Sequence, residues 1–515
     1  MEKKETEELT AKELYKQIEP IRKSLEHDWQ DASQLTIPYI FPRSEVQSES
    51  TTMPTPYNSI GSSSVNVLAS KLLIALLPPS GVFFRLLPDF DVVSEMTTDE
   101  KSMLDSELSK VEQDVVELIN RQALRVPTYE AIKLLIVTGN AMMYKVPNGT
   151  FKVFSPYQYV VQRDYVGEVL YACIKEKMGW DTIPEKVKKQ LEESDARYTD
   201  IDTKDDEYME VTVYTAILRE GKDKYKVWQE IEGIKIEGTE KKYSKDKLPY
   251  LILRWTTVNN ESYGRGLVEQ YLGDLRSLEG LTQTIVEGAG IAALQIFGLR
   301  PGSNLKVEDL NNAKNGQFVL GDLEREVSTL QVNKNADLQV PLQLIGQLEQ
   351  RIAKAFLNLG GQIRDSERTT ATEVRATVAE LEATLGGIFS VLATEFQKPL
   401  VTLLLHELVP DVLKITTPSI TTGIGAISRE RDFQNLNTML QSTAQLGPEI
   451  LMKYMKIDAY LAKVATALGM EPDEIIKSPQ QIQQEAQAMQ QQQQQQFQQQ
   501  AALEGVKAGA QGGQQ

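Results

Sequence analysis

The sequence predicts an α+β fold in which helices predominate. Apolar residues recur three and four positions apart over residues 266–294 and again over 341–399, which is the spacing of one helix face. Over residues 141–255 the pattern changes to short runs rich in valine, isoleucine and aromatic residues, which is typical of strands. With 515 residues, the chain is long enough for several domains.

The N-terminal part is predicted to be mostly helical. Residues 11–29 have the pattern of a charged amphipathic helix, and Pro38 and Pro42 then favour extended structure. A linker rich in serine, threonine and proline follows over 44–56. The next predicted elements are a helix at about 62–77, a short strand at 83–86, and helices at 104–120 and 129–139.

A strand-rich segment follows, and its best-defined feature is a hairpin. The dipeptide Asn148-Gly149 separates two strand-like runs, 142–146 and 151–154, and this dipeptide favours the tight turn of a two-residue hairpin. The highly charged residues 181–207 are expected to form an exposed excursion from the sheet. Further strands are predicted at 159–162, 169–174, 211–218, 225–229 and 250–254.

Two predicted helices bracket a small non-helical insert. The first helix covers 266–294, and the insert, 297–335, contains strand candidates at 317–320 and 327–332. The second helix starts near Pro341 and is expected to end at Gly360-Gly361, because glycine readily adopts the left-handed conformation found after helices. A polar loop, 362–368, comes next.

A long helix is predicted from Thr370 to Pro399. Thr370-Ala371-Thr372-Glu373 has the pattern of a capping box, and Pro399 is expected to stop the helix. Gly386-Gly387 lies in mid-helix, where each glycine costs about 1 kcal/mol relative to alanine. A bend or the close approach of another backbone would explain the pair. The remaining predicted elements are a helix to 408, an extended segment at 415–420, three short helices over 428–477, and a Gln-rich tail, 480–515, expected to be disordered or a frayed helix.

Charge and composition exclude several classes of protein. Lysine and arginine total 55 against 72 aspartates and glutamates, a net charge of −17. A protein that grips DNA by neutralising its phosphates should be basic, whereas an acidic wall past which DNA slides is compatible with this charge. Residues 1–10 are charged, unlike a signal peptide, and the most apolar segment, 65–77, is too short to span a bilayer. We therefore expect a soluble chain with no membrane partner.

The sequence offers little for catalysis, metal binding or cofactor binding. Its two histidines, His27 and His406, lie on predicted helices far apart in sequence, and Cys173, the single cysteine, lies in a strand-like run and is expected to be buried. One cysteine excludes an internal disulfide and a multi-cysteine zinc site. No phosphate-binding loop with a lysine occurs, and residues 423–428 lack the third glycine of a dinucleotide fingerprint. The residues favour a structural or interaction protein without cofactors.

Six motifs occur in order along the chain: Ile37-Pro38-Tyr39-Ile40-Phe41-Pro42, Asn66-Val67-Leu68-Ala69-Ser70-Lys71-Leu72, Phe83-Phe84-Arg85-Leu86, Tyr263-Gly264-Arg265-Gly266, Glu269-Gln270-Tyr271-Leu272-Gly273-Asp274-Leu275 and Glu367-Arg368-Thr369-Thr370-Ala371-Thr372-Glu373-Val374-Arg375. With these motifs the sequence resembles the portal, or head-to-tail connector, proteins of short-tailed bacteriophages of the podovirus/autographivirus type. The likeness covers residues 11–475 in order, and the Gln-rich tail is where it departs.

The resemblance implies a ring of twelve identical subunits around an axial channel for double-stranded DNA, at one vertex of the capsid in the virion. It implies a non-enzymatic role in genome packaging and ejection, and assembly in the host cytoplasm with terminase, a tail adaptor, scaffolding and major capsid proteins. It divides the chain into a wing (1–262), a first stem helix (263–295), a clip (296–335), a second stem helix (336–361), a tunnel loop (362–369), a long wing helix and return (370–427), a crown (428–479) and the Gln-rich tail (480–515).

The same resemblance assigns candidate contact residues. Arg364 and Arg368 are expected to be the few basic side chains near DNA, although each could instead form an ordinary ion pair with Asp365 or Glu367. The full candidate sets are Gln362, Arg364, Asp365, Glu367 and Arg368 for the tunnel loop, and Phe318, Val319, Leu320 and Arg325 for partner binding by the clip. The first alternative is a virion scaffold or tail adaptor without a DNA channel. The second is an uncharacterised hydrolase, which the presence of only two histidines disfavours.

Overall fold

The computed structural model describes residues 10–42, 53–79, 82–94, 96–147, 149–194, 210–293, 296–303, 305–314, 318, 320, 322–330, 335–358, 371–420, 438, 441–442 and 460. The chain divides into two compact units, Met1–Gly423 and Ile424–Gln515. Nearly all described residues belong to the first unit, and its fold is given below. The predicted crown helices and the Gln-rich tail lie almost wholly outside the described residues.

The first unit alternates helical and strand-rich parts along the chain. In its first half the elements are α1 (Ala11–Gln34), α2 (Ile60–Leu76), β1 (Phe84–Pro88), α3 (Phe90–Ser94), α4 (Thr98–Arg121), α5 (Arg125–Thr138), β2 (Asn140–Lys145), β3 (Phe151–Phe154), β4 (Tyr159–Arg163), β5 (Val169–Gly179), α6 (Glu185–Ser194), β6 (Glu210–Arg219), β7 (Lys224–Ile231), β8 (Ile234–Lys235), β9 (Lys241–Ser244) and β10 (Tyr250–Arg254). In the second half they are α7 (Leu267–Gln270), α8 (Leu272–Ala293), β11 (Ile296–Leu299), α9 (Val307–Asn311), α10 (Leu323–Glu326), β12 (Val327–Leu330), α11 (Asn335–Ala355), α12 (Ala371–Leu392), α13 (Lys398–Leu408) and β13 (Thr416–Ile420).

All the strand pairs found within the described residues run antiparallel. The largest sheet has the order β4-β5-β6-β7-β8, with β9 also paired to β7. A second sheet has the order β10-β2-β3, and its β2–β3 pair confirms the predicted hairpin. The loop is longer than the predicted two residues, since the strand register ends at Lys145 and Phe151 and the N–H of Val146 donates to the carbonyl of Thr150 at 3.1 Å. Asn148 lies outside the described residues. The predicted strand at 83–86 and the extended segment at 415–420 are confirmed as strands β1 and β13, and the structure pairs them with each other, which the sequence did not indicate. The fold class, mixed helix and strand, is thus as predicted.

The main hydrophobic core lies among the helices. The helix α5 runs through it and buries most of its residues, because apolar side chains occupy nearly every turn face. It packs against α2, whose Leu68 and Leu72 are fully buried. The later helix α13, whose Leu404 is also fully buried, packs against α4. Burial of this kind contributes about 25 cal/mol per Å² of apolar area.

The N-terminal helix α1 ties the large sheet to this helical core. Its first half packs on the sheet, where the rings of Tyr15 and Tyr214 lie 5.6 Å apart. Its second half reaches the β2–β3–β10 region, where Trp29 contacts Tyr263 at a ring distance of 5.6 Å. The capping box of Thr10 fixes its start, and the backbone N–H of Ala11 donates to the buried carboxylate of Glu230 at 2.6 Å.

The charged segment after β5 was predicted to be an exposed excursion from the sheet, but part of it is buried. Trp180, Ile183 and Leu191 are buried and pack against strands β6 and β7. The amphipathic pattern of α6 places Leu191 on the sheet, while Lys186, Lys189, Glu192 and Glu193 are exposed. Residues 195–207 lie outside the described residues.

The long helix differs from the prediction at Pro399. The helix does not stop there; a π-helical turn, Ala393–Gln397, connects α12 to α13, and the N–H of Lys398 donates to the carbonyl of Ala393. Proline lacks an N–H, and in a regular helix its ring would clash with the carbonyl four residues before it, here that of Glu395. The wider turn relieves this conflict.

The glycine pair in α12 marks a bend. Leu385, directly before Gly386, has non-helical torsion angles (φ −121°, ψ 22°). A Cβ added at Gly386 or Gly387 would meet nothing within 4 Å in this chain. Of the two explanations offered by the sequence, the bend is therefore the one observed.

Because the helix continues past Pro399, it forms a longer apolar helix than the one predicted at about 62–77. Among the described residues, Ala383–Leu408 is long and apolar enough to cross a membrane by length and composition. Half of its most apolar window is buried inside the fold.

The single cysteine is buried, as predicted. Cys173 is fully buried in β5, and burial raises the pKa of its thiol to about 12. A thiol with a raised pKa carries little thiolate at neutral pH, so Cys173 is expected to be unreactive.

His406 gives a testable pH dependence. Burial, together with the positive charge of Lys247, lowers the pKa of His406 below 6.5, and Asp246 opposes this shift. Because the unfolded chain then binds a proton more readily, this contribution to stability is present above pH 6.5 and is lost as the pH falls below it. We expect His406→Gln to show a smaller drop in melting temperature between pH 7 and pH 5 than the unsubstituted chain. Parallel melting curves for the two proteins would contradict this expectation.

Candidate assembly and partner surfaces

The two helices predicted to bracket the insert are α8 and α11, and they pack together as an antiparallel pair. Their inner ends are buried in the helical core: Leu278 and Ile352 are almost or fully inaccessible, and the rings of Tyr271 and Phe356 lie 5.7 Å apart. Across the pair, Arg351 donates to Asp274 at 3.1 Å. The predicted first helix is therefore confirmed in position, although Tyr271 interrupts it between α7 and α8.

A tight backbone crossing sets where this helix pair begins. The end of α5 at Gly139 (φ +79°) passes against Gly264 and Gly266, and a Cβ on Gly139 would lie 2.5 Å from backbone atoms of Arg265 and Gly266. The side-chain amide of Asn140 binds both backbone polar groups of Gly264. Its oxygen accepts from the Gly264 N–H at 2.7 Å, and its nitrogen donates to the Gly264 carbonyl at 2.9 Å. The two glycines of the motif Tyr263-Gly264-Arg265-Gly266 are thus explained by the close approach of the backbone at Gly139.

The second helix ends earlier than predicted. The helix α11 stops at Ala355, and Leu357 adopts the left-handed conformation (φ +56°) that we assigned to Gly360-Gly361. Lys71 of α2 donates to the carbonyl of Leu357 at 2.9 Å, and this buried contact holds the turn. Tertiary contacts have overridden the local preference for glycine.

The chain before α2 also holds the pair. Glu279 of α8 accepts hydrogen bonds from the backbone N–H groups of Tyr57 and Asn58 at 2.8 and 3.3 Å. The side-chain amide of Asn58 donates to Glu349 of α11 at 2.8 Å. One short segment therefore contacts both helices of the pair and fixes their mutual position.

The outer ends of the two helices expose apolar side chains. Val340 of α11 is 72% exposed, and three more aliphatic residues there are 43–53% exposed: Val286, Leu342 and Leu344. Scattered apolar residues are normal on a surface, but these share the outer half of one helix pair. The charged side chains of α8 are mainly acidic: Asp274, Glu279 and Glu287 against Arg276.

The insert between the helices is a small knob built on the β11–β12 pair, in which Phe297 lies opposite Thr329. Ser303 donates to Glu326 at 2.7 Å, and Leu305 is buried. The predicted strand at 327–332 is confirmed as β12, but the candidate at 317–320 is wrong at its described residues, because Phe318 and Leu320 are not in a strand. The partner of β12 is instead Ile296–Leu299.

The candidate clip residues are highly accessible where they are described. The side chains of Phe318 and Leu320 are fully exposed, at 101% and 98%, and that of Arg325 is 84% exposed. Val319 lies outside the described residues. An apolar pair at full exposure on a small knob is an unusual surface for an isolated chain and is typical of a contact site.

The tunnel-loop candidates, Gln362, Arg364, Asp365, Glu367 and Arg368, all lie outside the described residues, so their positions stay predictions.

The structure also brings together two groups of residues that the sequence did not predict. One is the buried cluster of Arg163, Arg254 and Glu395, in which Arg254 Nε donates to Glu395 at 2.9 Å. The other is the turn between β4 and β5, described below. The buried cluster joins residues far apart in sequence, so no local signal marks it.

Comparison with known proteins identifies the family. The family described as bacteriophage head to tail connecting protein matches residues 8–476. The portal protein of Enterobacteria phage T3 is 34% identical over 484 residues, covering 92% of this chain and 89% of the relative. The portal protein of Escherichia phage T7 is 33% identical over 488 residues, with the same two shares, and that of Pseudomonas phage phiKMV is 30% identical over 456 residues, covering 84% and 85%. The chain therefore belongs to the family of bacteriophage head to tail connecting proteins.

Proposed function

We propose that copies of this chain form a dodecameric ring at one capsid vertex of a short-tailed phage. The ring serves as the channel through which double-stranded DNA is packaged and ejected, and as the attachment point of the tail. The function is structural rather than enzymatic. Family membership supports the connector role, and the unburied apolar ends of α8 and α11 support the assembly of many copies.

The apolar outer ends are the observation that carries the ring. A helix pair that leaves Val340 and Leu342 in water lacks part of its packing within one chain. Identical subunits side by side around an axis bury such surfaces without any further protein, because head-to-tail contacts close into a ring when the rotation is right. In this proposal α8 and α11 are the stem helices facing the axis.

The charge of the chain agrees with a conduit for DNA. Point contacts between lysine or arginine and phosphate would hold DNA in place, and each such contact strengthens binding by releasing counterions. The net charge of −17 and the acidic side chains on α8 disfavour such gripping. Arg364 and Arg368 of the proposed tunnel loop would then supply local contacts only.

The knob formed by 296–335 is the proposed clip. Its exposed Phe318 and Leu320 offer an apolar contact, and the exposed Arg325 of the same segment offers a charged one. Aromatic and arginine side chains dominate the energetics of many protein interfaces. We assign this surface to terminase during packaging and to the tail adaptor afterwards.

A charge placed on the apolar outer end is expected to block assembly. Leu342→Glu should leave the folded subunit almost unchanged, within about 0.5 kcal/mol, because Leu342 is 53% exposed. In the ring the same carboxylate would be desolvated in every subunit, so assembly should fail or require much higher protein concentration. The matched control is Gln343→Glu, which makes the same charge change at an exposed neighbour on α11.

Native mass spectrometry of the purified protein tests the proposal directly. The proposed function predicts a species at the mass of a dodecamer of the 57.8 kDa chain for the unsubstituted protein and for Gln343→Glu. It predicts mainly monomers for Leu342→Glu. A monomer for the unsubstituted protein at every concentration would contradict the ring, and equal assembly of both variants would remove α11 from the interface.

A further inference from the structure

The turn between β4 and β5 presents two apolar side chains to solvent on a rigid support. Tyr165 is 90% exposed and Val166 is 68% exposed. Below them, Asp164 accepts from the N–H groups of Val166 and Glu168 at 3.0 and 2.8 Å, and Arg219 donates to Asp164 at 3.0 Å. We call Tyr165 and Val166 the hairpin tip.

The support of the tip reaches into the core. Arg163 donates to the carbonyl of Gly167 at 2.9 Å, and Gly167 holds a positive φ of +93° that its neighbours could not adopt as easily. The guanidinium of Arg163 is buried beside Glu395 of the π-helical turn. A tip braced in this way loses little conformational entropy when it binds, which favours affinity.

A groove of about 390 Å³ lies elsewhere on the same unit. It is bordered by Tyr39, Val126, Tyr129 and Lys133, and by Val153 of the β3 strand. The ammonium of Lys133 lies over two aromatic rings, 5.8 Å from the centre of Tyr39 and 5.0 Å from that of Tyr129. Among the described residues Lys133 forms no ion pair.

The tip and the groove lie at opposite ends of β4. Gln158, which also lines the groove, immediately precedes β4, and Asp164 immediately follows it. At about 3.3 Å per residue, the chain from Gln158 to Asp164 separates the two surfaces by about 20 Å. A tip therefore cannot reach the groove of its own chain.

We infer that the hairpin tip of one copy of this chain inserts into the groove of the neighbouring copy. Two different surfaces at opposite ends of one strand are what a head-to-tail contact between identical subunits requires. The groove volume lies within the range of about 300–1,000 Å³ typical of binding sites and accommodates one aromatic ring with a valine side chain.

The chemistry of the contact favours this occupant. The ring of Tyr165 would join those of Tyr39 and Tyr129 around the Lys133 ammonium, since a cation is attracted to aromatic faces. Tyrosine is also among the residues that contribute most to binding at interfaces. The inference rests on the proposed ring and adds a contact outside the stem.

Crosslinking between two introduced cysteines tests this contact. Cys173 is fully buried, so the double variant Tyr165→Cys and Val126→Cys adds the only accessible thiols among the described residues. A short bis-maleimide is expected to give a ladder of covalent dimers and higher multimers on a denaturing gel. Each single variant, and Tyr165→Cys combined with Phe90→Cys at an 84% exposed site outside the groove, should give no ladder.

A second variant tests the energetics. Tyr165→Ala is expected to raise the protein concentration at which rings dissociate at least tenfold, while Phe90→Ala should not change it. Rings of the double-cysteine variant without a ladder, or rings of Tyr165→Ala as stable as the unsubstituted ones, would overturn the inference and leave the ring intact. If the unsubstituted protein forms no rings, both the proposed function and the inferred contact are contradicted.

Discussion

Replacing Gly139 with alanine is expected to lower the free energy of unfolding by about 2–5 kcal/mol. A left-handed conformation costs a non-glycine residue about 1–2 kcal/mol, and forcing a group into a packed site adds about 1–3 kcal/mol. Both costs apply here, since Gly139 has φ +79° and its Cβ would lie 2.5 Å from the backbone of Arg265. Denaturation of the purified protein in urea measures the change.

Gly221 offers a matched control for this substitution. It has nearly the same torsion angle, φ +82°, but a Cβ there would meet nothing within 4 Å. Gly221→Ala should therefore show only the conformational cost, about 1–2 kcal/mol. If both substitutions destabilise the protein equally, the backbone crossing at Gly139 is not as tight as described.

Replacing Glu395 with alanine is expected to destabilise the fold by about 3–5 kcal/mol. Its carboxylate accepts from the backbone N–H and the guanidinium of Arg254, and it lies 3.7 Å from Arg163. Burial, with the nearby charge of Arg254, lowers the pKa of Arg163 to about 10 although Glu395 opposes this shift. Removing the anion leaves two buried cations without their shared partner, which is the costly way to break a buried ion pair.

An exposed ion pair provides the control for Glu395. Lys177 and Glu210 lie 3.1 Å apart with both side chains more than half exposed, so Glu210→Ala should cost less than about 1 kcal/mol. Thermal unfolding of the two variants under the same conditions compares them. A Glu395→Ala protein as stable as Glu210→Ala would show that the cluster contributes little.

Local patterns were sufficient to predict most elements. The strands over 141–255 follow alternation and the turn signal of Asn148-Gly149, and both are properties of a few adjacent residues. The long helices follow from apolar spacing, and α1, α4 and α5 lie where this spacing predicted them. The register of the sheets and the direction of α11 against α8 depend on contacts between distant residues, so the sequence alone did not determine them.

The failures have physical causes. Pro399 was predicted to stop a helix, but a π-helical turn accommodates it, and Glu395 within that turn is held by Arg254. The helix end at Gly360 was a local preference, and the contact of Lys71 with Leu357 overrode it. At Pro399 a local π-helical turn avoids a conflict that would cost about 3 kcal/mol in a regular helix. At Leu357 a tertiary contact outweighs a preference for glycine of about 1–2 kcal/mol.

The candidate site could be predicted in outline only. The exposed apolar residues of the insert, Phe318 and Leu320, belong to a short apolar run that interrupts a polar segment of the sequence. The crossing of Gly139 with Gly264 joins residues more than 120 positions apart, and no local pattern reports it. The ring came from resemblance to a family and not from periodicity, because apolar stripes occur in ordinary cores as well.

Electron cryomicroscopy of the assembled protein would show which elements line the proposed channel. We expect a closed ring in which α8 and α11 of every subunit stand beside the central opening and the strand-rich segment 140–254 lies away from it. A map showing isolated subunits, or a ring whose opening is lined by the strands of that segment, would refute the proposed ring.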